Sequence, residues 1–481
     1  MNISLPAKLS KCDLLILPLY ASNTPPLLLK DHSRADFEGK TNETVLLYQK
    51  DKLTPRILLV GLGQEKKTTT EIWRQAGGTV ANQLKKGLSK LAIIPPKESL
   101  RLILAFIEGF YLGHYKYEPF LNDPERQQTP LSELQIIIQD KTLKKELEIK
   151  LKELQIITKT VNSVRDQVNS PSNILNPTQF AKNSQKVTKK SRKINCKIFD
   201  EKSLQKINMN CLVSVGKGAR DKAKLIILEY KSKPINKRPL VLVGKGICFD
   251  AGGINLKTRD LEYMKYDMTG AATVLGIFEI LAELNLPLHI IGVLPCAENM
   301  LGENAFKPGD ILTAYDKTTV EILNTDAEGR LILADALAYA VKNFKPEIII
   351  DVATLTGAAI TALGYDIAAL IGNNQNLTTQ LKQAATQVDE KIWELPLDPD
   401  YKKEIKSDIA DIKNYSAEVG AGVIMGGAFL EHFVKDTPWA HLDMGGSAWT
   451  NKAKSYYPKG ATGRMVRTLW QFLKNYKPTF D

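Results

Sequence analysis

The chain has 481 residues, 43% of them hydrophobic and 25% charged, with 65 Lys and Arg against 53 Asp and Glu. That length can bury two substantial cores, and the balance is that of an ordinary globular protein rather than a disordered or fibrous one. There is no run of about 18 apolar residues for a membrane span, Met1 to Ser10 lacks the order of a signal peptide, and the five cysteines (Cys12, Cys196, Cys211, Cys248, Cys296) are scattered and odd in number, so a reducing cytoplasm is expected.

Residues 1–140 alternate strand-like runs, Cys12 to Leu19, Val45 to Tyr48 and Ile57 to Val60, with helical stretches such as Thr70 to Leu91. Such alternation predicts an α/β domain. Gly61-Leu-Gly63 has Lys66 where a third glycine would make a dinucleotide fingerprint, so it reads as a plain turn. Residues 141–168 carry Leu143, Leu147, Leu151, Leu154, Ile157, Val161 and Val164 at spacings of three and four, which predicts one long amphipathic linker helix. Asn169-Ser-Pro-Ser-Asn173 breaks it.

Residues 169–481 repeat the alternation, with strands near Leu225 to Leu228, Leu240 to Val243, Leu288 to Val293, Val320 to Leu323 and Ile348 to Val352. Helices are expected at Ala271 to Leu284, Leu331 to Asn343 and Gly426 to Val434, and the glycine-rich Gly420 to Gly427 reads as a close-packed loop beside a site. The expected fold is α/β: two α/β domains joined by a long helix, the second with a mixed sheet flanked by helices.

The net charge of +12 is concentrated in residues 182–238, where 17 Lys or Arg face four acids. A localised basic stretch can recruit nucleic acid through phosphates. Solvated surface lysines are the commoner use, and with only Phe199 and Tyr230 among them base stacking is not suggested.

Chemistry concentrates in two motifs of the second domain. Asn324-Thr-Asp-Ala-Glu-Gly-Arg-Leu331 places Asp326, Glu328 and Arg330 at every second position. In an extended or turn backbone these share a face; on a helix residues two apart do not. The acids are therefore expected to precede the helix opened by Leu331, Ile332, Leu333 and Ala334. Upstream, Val243 to Lys257 and Met264 to Ala272 put Lys245, Asp250 and Asp267 near four glycines, Gly244, Gly246, Gly252 and Gly253, which are expected to let the backbone turn sharply around a small ligand. Lys245 and Asp250 should fall just past the carboxyl end of a strand, where open α/β sheets place ligands. A phosphate loop is excluded, since Gly246 stands at its Ser/Thr position.

Asp250, Asp267, Asp326 and Glu328 supply oxygens for two divalent cations, which need bridging carboxylates to offset their repulsion. Such a pair would present a bridging hydroxide to a polarised carbonyl. None of His32, His114, His289, His432 and His441 lies in either motif, so an oxygen-rich site leaning to Mn²⁺ or Mg²⁺ is expected, with Zn²⁺ also admissible.

Together with Asn169-Ser-Pro-Ser-Asn173, Pro308-Gly-Asp310, Ala353-Thr-Leu-Thr-Gly357 and Trp439-Ala-His-Leu-Asp443, these motifs resemble the leucyl aminopeptidase (cytosol aminopeptidase) family of dinuclear metallo-exopeptidases. The resemblance runs from about Arg165 to Trp449 in the family's order. It implies that Asp250 and Glu328 bridge two Mn²⁺ or Zn²⁺ ions, that Asp326 completes the more exchangeable site, and that a neutral Lys245 and Asp267 complete the tighter one. It further implies that Lys257 polarises the scissile carbonyl, that Arg330 holds a bicarbonate serving as base, and that Met264, Thr354 and Gly357 lie near a pocket for leucine-like side chains. A homohexamer with peptide substrates comes with it. Thr269 departs from the family pattern, standing where glycine is usual, and reads as an N-cap for Ala271 to Leu284. The reading is a cytoplasmic aminopeptidase acting on peptide amino termini; the rival is a DNA-binding protein using residues 182–238, alone or beside peptidase activity.

Overall fold

A computed structural model of the chain describes residues 1–21, 37–50, 53–123, 127 and 129–477. His32 lies outside them. The chain divides into two compact units, Met1–Asn162 with Asn451–Lys459, and Ser163–Thr450 with Gly460–Asp481.

The first unit is built on six strands: β1 (Asn2–Ser4), β2 (Leu14–Leu19), β3 (Thr44–Tyr48), β4 (Arg56–Gly61), β5 (Lys90–Ile93) and β6 (Glu133–Ile136). Their order is β1-β6-β5-β2-β4-β3, parallel except for β3. The helix α1 (Thr70–Asn82) is capped by the Thr69 hydroxyl, which accepts from Ile72 N. It stops nine residues short of the expected Leu91, because Gly87 takes φ +85° and Lys90–Ile93 is claimed by the sheet. The helix α2 (Leu100–Gly113) packs on α1 through glycines: a Cβ at Gly77 would stand 2.0 Å from Phe106 O, and one at Gly109 1.8 Å from Arg74 O. The helix α3 (Lys141–Asn169) is continuous over 29 residues and sends Leu143, Leu147 and Leu151 into this unit's core.

The second unit begins with α4 (Pro177–Thr188), β7 (Ile194–Phe199), α5 (Glu201–Lys206), α6 (Asn210–Gly216) and β8 (Lys224–Lys231). Then come β9 (Leu240–Gly244), β10 (Gly246–Asp250), α7 (Thr269–Glu283), β11 (His289–Asn299), β12 (Ile311–Thr313), β13 (Thr319–Glu321) and α8 (Gly329–Phe344). The strands β14 (Ile348–Ala353), β15 (Ile367–Gly372), β16 (Lys391–Glu394), β17 (Ile412–Lys413) and β18 (Trp439–Asp443) follow. Eight of these form a mixed sheet in the order β16-β15-β18-β14-β9-β11-β8-β7, with β10 paired to the far end of β11. Its central strands are buried along their length, which is why they read as continuous apolar runs such as Leu240 to Val243.

Four local expectations are corrected. Asp250 is not in a loop beyond β9, because the chain resumes as β10 after a break at Lys245, with Gly246 opposite Cys296 and Asp250 opposite Asn299 on β11. Gly244 and Gly246 serve close approach rather than a turn, since a Cβ on them would meet Ala271 Cα at 2.6 Å and Cys296 Sγ at 2.7 Å. Thr269 is no N-cap: α7 starts at that residue and its hydroxyl donates to Tyr266 O at 2.5 Å, tying the helix to the preceding 3₁₀ helix Leu261–Met268. The glycine-rich segment is helical, Gly422–Glu431, and a Cβ on Gly426 would touch Leu355 Cδ2 at 3.0 Å.

Candidate metal centre

Each motif delivers its charged groups from the end of a regular element. Asp250 closes β10; Gly252 and Gly253 then turn the chain with φ +88° and +65°, values that favour glycine. Asp267 is the penultimate residue of the 3₁₀ helix Leu261–Met268, and Asp326 and Glu328 lie in the turn before α8, as their alternate spacing predicts. Arg330 is already in the first turn of α8.

Asp250, Asp326 and Glu328 present carboxylate oxygens that all lie within 4.8 Å of one another. Lys245 Nζ stands 2.8 Å from Asp267 Oδ2 and 2.9 Å from Glu328 Oε1, and donates to Thr354 O at 2.9 Å. Lys257 Nζ stands 2.9 Å from Asp250 Oδ2 and is hydrogen-bonded to Asp326 Oδ1. Two ammonium groups thus sit among four acids. Asp267 Oδ2 and Glu328 Oε1 are buried, and although Lys245 is at ion-pair distance from both, neither accepts a well-directed hydrogen bond. Buried carboxylate oxygens rarely go unpartnered. A divalent cation would satisfy them, so the residues present fit a metal site.

The electrostatics agree. Burial, reinforced by Asp250 and Glu328, pushes Asp326 up to about 7, and burial pushes Asp267 well above the carboxylate range against the pull of Lys245. Burial works against the Lys245 ammonium too, but Asp267, Glu328 and Asp250 outweigh it and hold the group above the usual lysine value. Lys257 is shifted upward in the same way. Groups shifted by burial together with specific charged neighbours are candidates for a functional site.

The remaining candidate residues differ in burial and in their contacts. Thr354 is buried and its hydroxyl donates to Asp267 Oδ1 at 2.7 Å. Gly357 is exposed, and an added Cβ would meet nothing within 4 Å. Met264 lies in the 3₁₀ helix three residues before Asp267, half-buried. Arg330 is buried, donates to Asn414 O at 2.8 Å, stacks 6.0 Å over Phe429, and leaves its Nε without a partner. Burial lowers its pKa to about 10 against the pull of Glu328 and Asp443, so it stays a cation at neutral pH.

No described histidine joins the acidic cluster. His441 is buried against Asp351 at 2.5 Å, His289 pairs with Glu229, His114 stacks on Phe110 and His432 meets Thr318. The lysines and arginines of residues 182–238 are spread over α4, β7, α5 and β8 and the connecting turns, several with local partners, as Lys193 with Asn285 and Lys222 with Ala219 O. None of the five cysteines is paired, and no described helix is long and apolar enough to cross a membrane.

Sequence reasoning missed Asn414 as a support and gave Asp443, the last residue of Trp439-Ala-His-Leu-Asp443, no role. Asn414 accepts from Leu323 N at 2.9 Å, donates to Asn324 O at 2.7 Å and offers its carbonyl to Arg330. Asp443 accepts from Leu355 N at 3.0 Å and the Thr356 hydroxyl at 2.7 Å, holding the loop after β14. Both act across more than 80 residues of chain, which no local spacing can signal.

Comparison with known proteins matches the chain to the models of one family. Residues 162–470 match the catalytic domain of the cytosol aminopeptidase family and residues 27–124 its N-terminal domain. A probable cytosol aminopeptidase of Geobacter sp. (strain M21) is 41% identical over 444 residues, 91% of this chain and 90% of that protein. The cytosol aminopeptidase of Haemophilus influenzae (strain ATCC 51907 / DSM 11121 / KW20 / Rd) is 49% identical over 284 residues, 59% of this chain and 57% of its own. Among solved structures, the bottromycin maturation enzyme BotP in complex with Mn aligns with a TM-score of 0.86 at 29% identity, covering 96% of this chain and 99% of that one. With both domains matched in order and the acidic cluster in the catalytic one, the chain belongs to the cytosol aminopeptidase family and is an aminopeptidase of the metallo-exopeptidase type.

Proposed function

We propose that the enzyme removes amino-terminal residues, leucine-like ones by preference, from peptides by means of two divalent ions, Mn²⁺ or Zn²⁺, held by Lys245, Asp250, Asp267, Asp326 and Glu328. The observation that carries this reading is the convergence of Asp250, Asp326 and Glu328, whose carboxylate oxygens lie within 4.8 Å of one another, with Asp267 joined to Glu328 through Lys245. When bound, such ions lower the pKa of a water and polarise a carbonyl.

The protein's own groups do the rest. Lys257 keeps 21% of its side chain exposed between Asp250 and Asp326, so its charge can meet the oxygen of a scissile carbonyl as negative charge develops there. Asp267, steadied by the Thr354 hydroxyl, receives the substrate's amino group. Lys245 serves as a ligand only when neutral, which adjacent cations enforce by lowering its pKa. Arg330 has its Nε free to hold bicarbonate as the base. Met264, Thr354 and Gly357 line the first side-chain pocket, where Gly357 leaves open space. A homohexameric, cytoplasmic enzyme is the corresponding assembly and location.

Anchoring the substrate amine fixes the carbonyl to within about 1 Å, on which near-attack geometry depends. The test is therefore leucine amide against N-acetyl-leucine amide. The free amine should be cleaved and the acetylated compound refused. Comparable rates on both would remove the exopeptidase geometry from this site.

A further inference from the structure

The two acid-bearing segments are bridged by a single side chain that neither motif contains. Asn299 ends β11, is fully buried, and stands opposite Asp250 across the β10–β11 pair. Its Nδ2 donates to Asp250 Oδ1 at 2.8 Å and to Thr325 O at 3.0 Å. Thr325 immediately precedes Asp326, so one amide group spans the upstream and downstream segments of the cluster. Both amide protons are committed to these oxygens. The orientation is chemically required, because the flipped amide would set its oxygen against two acceptors.

Local backbone features serve this contact. The pairing of β10 with β11 shifts register between Ile247 and Phe249, and such an irregularity re-aims the side chain that follows it, here Asp250. Gly253 adopts φ +65°, and a Cβ there would stand 2.9 Å from Asn299 Oδ1, so only glycine leaves room for the amide. Asp250 Oδ1 is further held by Gly252 N at 2.9 Å, which leaves Oδ2 to face Lys257 and the other acids.

We infer that Asn299 is a positioning residue for divalent-metal binding: it holds Asp250 Oδ1 turned away from the cluster, so that Oδ2 is presented to the ions, and ties that carboxylate to the Asp326 turn. The inference rests on the reading of Asp250 as a metal ligand. Outer-shell partners of ligating carboxylates typically govern affinity by about 10- to 100-fold.

A second network allows the role to be separated from simple loop support. The Thr325 hydroxyl donates to Gly252 O at 2.7 Å and accepts from Asn255 N at 2.9 Å, bracing the same loop without touching Asp250. The experiment titrates Mn²⁺ and Zn²⁺ into the chelator-treated protein, wild type and variants, by calorimetry and by competition with a chromophoric chelator. The Co²⁺ absorption spectrum reports coordination, and circular dichroism and melting report the fold. Asn299→Leu, of similar shape but with no donor, should weaken at least one ion by about 10- to 100-fold and alter the Co²⁺ bands. Thr325→Val should change affinity far less. Asn299→Ala, whose smaller side chain leaves space for a water at Thr325 O, gives the same test should the leucine variant not fold. Wild-type affinity in a folded Asn299 variant overturns the inference, and so do equal losses in the Asn299 and Thr325 variants, which would make Asn299 a loop brace only. Wild-type protein that binds no divalent ion at all would instead overturn the metal reading itself.

Discussion

Gly329 tests whether the place of Lys245 is as tightly fixed as the structure shows. It is the first residue of α8, and in a helix alanine is favoured over glycine by about 1 kcal/mol. Propensity alone therefore makes Gly329→Ala stabilising. The tertiary structure reverses that expectation, since a Cβ at Gly329 would stand 2.5 Å from both Cε and Nζ of Lys245 and 2.8 Å from its Cδ. Carbon atoms in contact settle near 3.5 to 4.0 Å, so the lysine end must retreat by about 1 Å. Lys245 is 2% exposed and bound to Thr354 O, with Asp267 and Glu328 on either side, so it has no open direction. Overpacking of this kind costs about 1–3 kcal/mol, leaving a net loss of roughly 0–2 kcal/mol after the helix gain. The melting temperature should fall by a few degrees at most. The rate should suffer far more, because a displacement near 1 Å at a catalytic centre costs about 100-fold. The assay is kcat on leucine amide beside metal content and a thermal melt of the same preparation. Wild-type kcat and metal content in the folded variant would refute the claim that Lys245 must stay where it is.

Dialysis against a chelator should abolish hydrolysis, and Mn²⁺ or Zn²⁺ should restore it; full activity in metal-stripped protein would contradict the role given to the acidic cluster. Asp250→Ala and Glu328→Ala should lose metal along with rate. Lys257→Ala should retain metal while kcat falls, and Arg330→Ala should retain metal but lose any stimulation by bicarbonate; elemental analysis with steady-state kinetics distinguishes these, and metal loss on Lys257→Ala would show the roles misassigned. Away from the centre, Asp335 is buried where it accepts from Leu212 N and Tyr315 N, and burial pushes its pKa up from 3.8 to about 7. A raised carboxyl pKa means the folded state keeps a proton that the unfolded state has released, so this group's stability contribution falls as pH rises from about 4 to about 7. Asp335→Asn lacks that loss. Whatever its constant offset, its stability relative to wild type should climb by up to about 1.4 kcal/mol per pH unit across that window and level off above it. Denaturant melts at several pH values that give parallel curves would show that the buried carboxylate keeps an ordinary pKa.

The sequence by itself determined the place of the acidic motif and the alternation of strands and helices. Asp326 and Glu328, spaced two apart before an apolar run, had to precede a helix, because residues two apart cannot share a helical face. The long helix of residues 141–169 was equally legible from its apolar spacing. Central strands such as Leu240–Gly244 showed as unbroken apolar runs because both faces are covered. What only the tertiary structure decided are the relations between distant segments. Spacing cannot show that Lys245 falls between two strands, that Gly329 is required by Lys245 rather than by its own backbone, or that the expected helix from Thr70 yields at Asn82 to strand pairing. Asn299 and Asn414 carry ordinary side chains with no local pattern, and Asp443 closes a motif that assigns it no role; they matter because folding sets them against Asp250, Arg330 and the loop after β14. A hydrogen bond across 49 or 84 residues leaves no period in the sequence, since its geometry is set by the sheet that brings the two segments together.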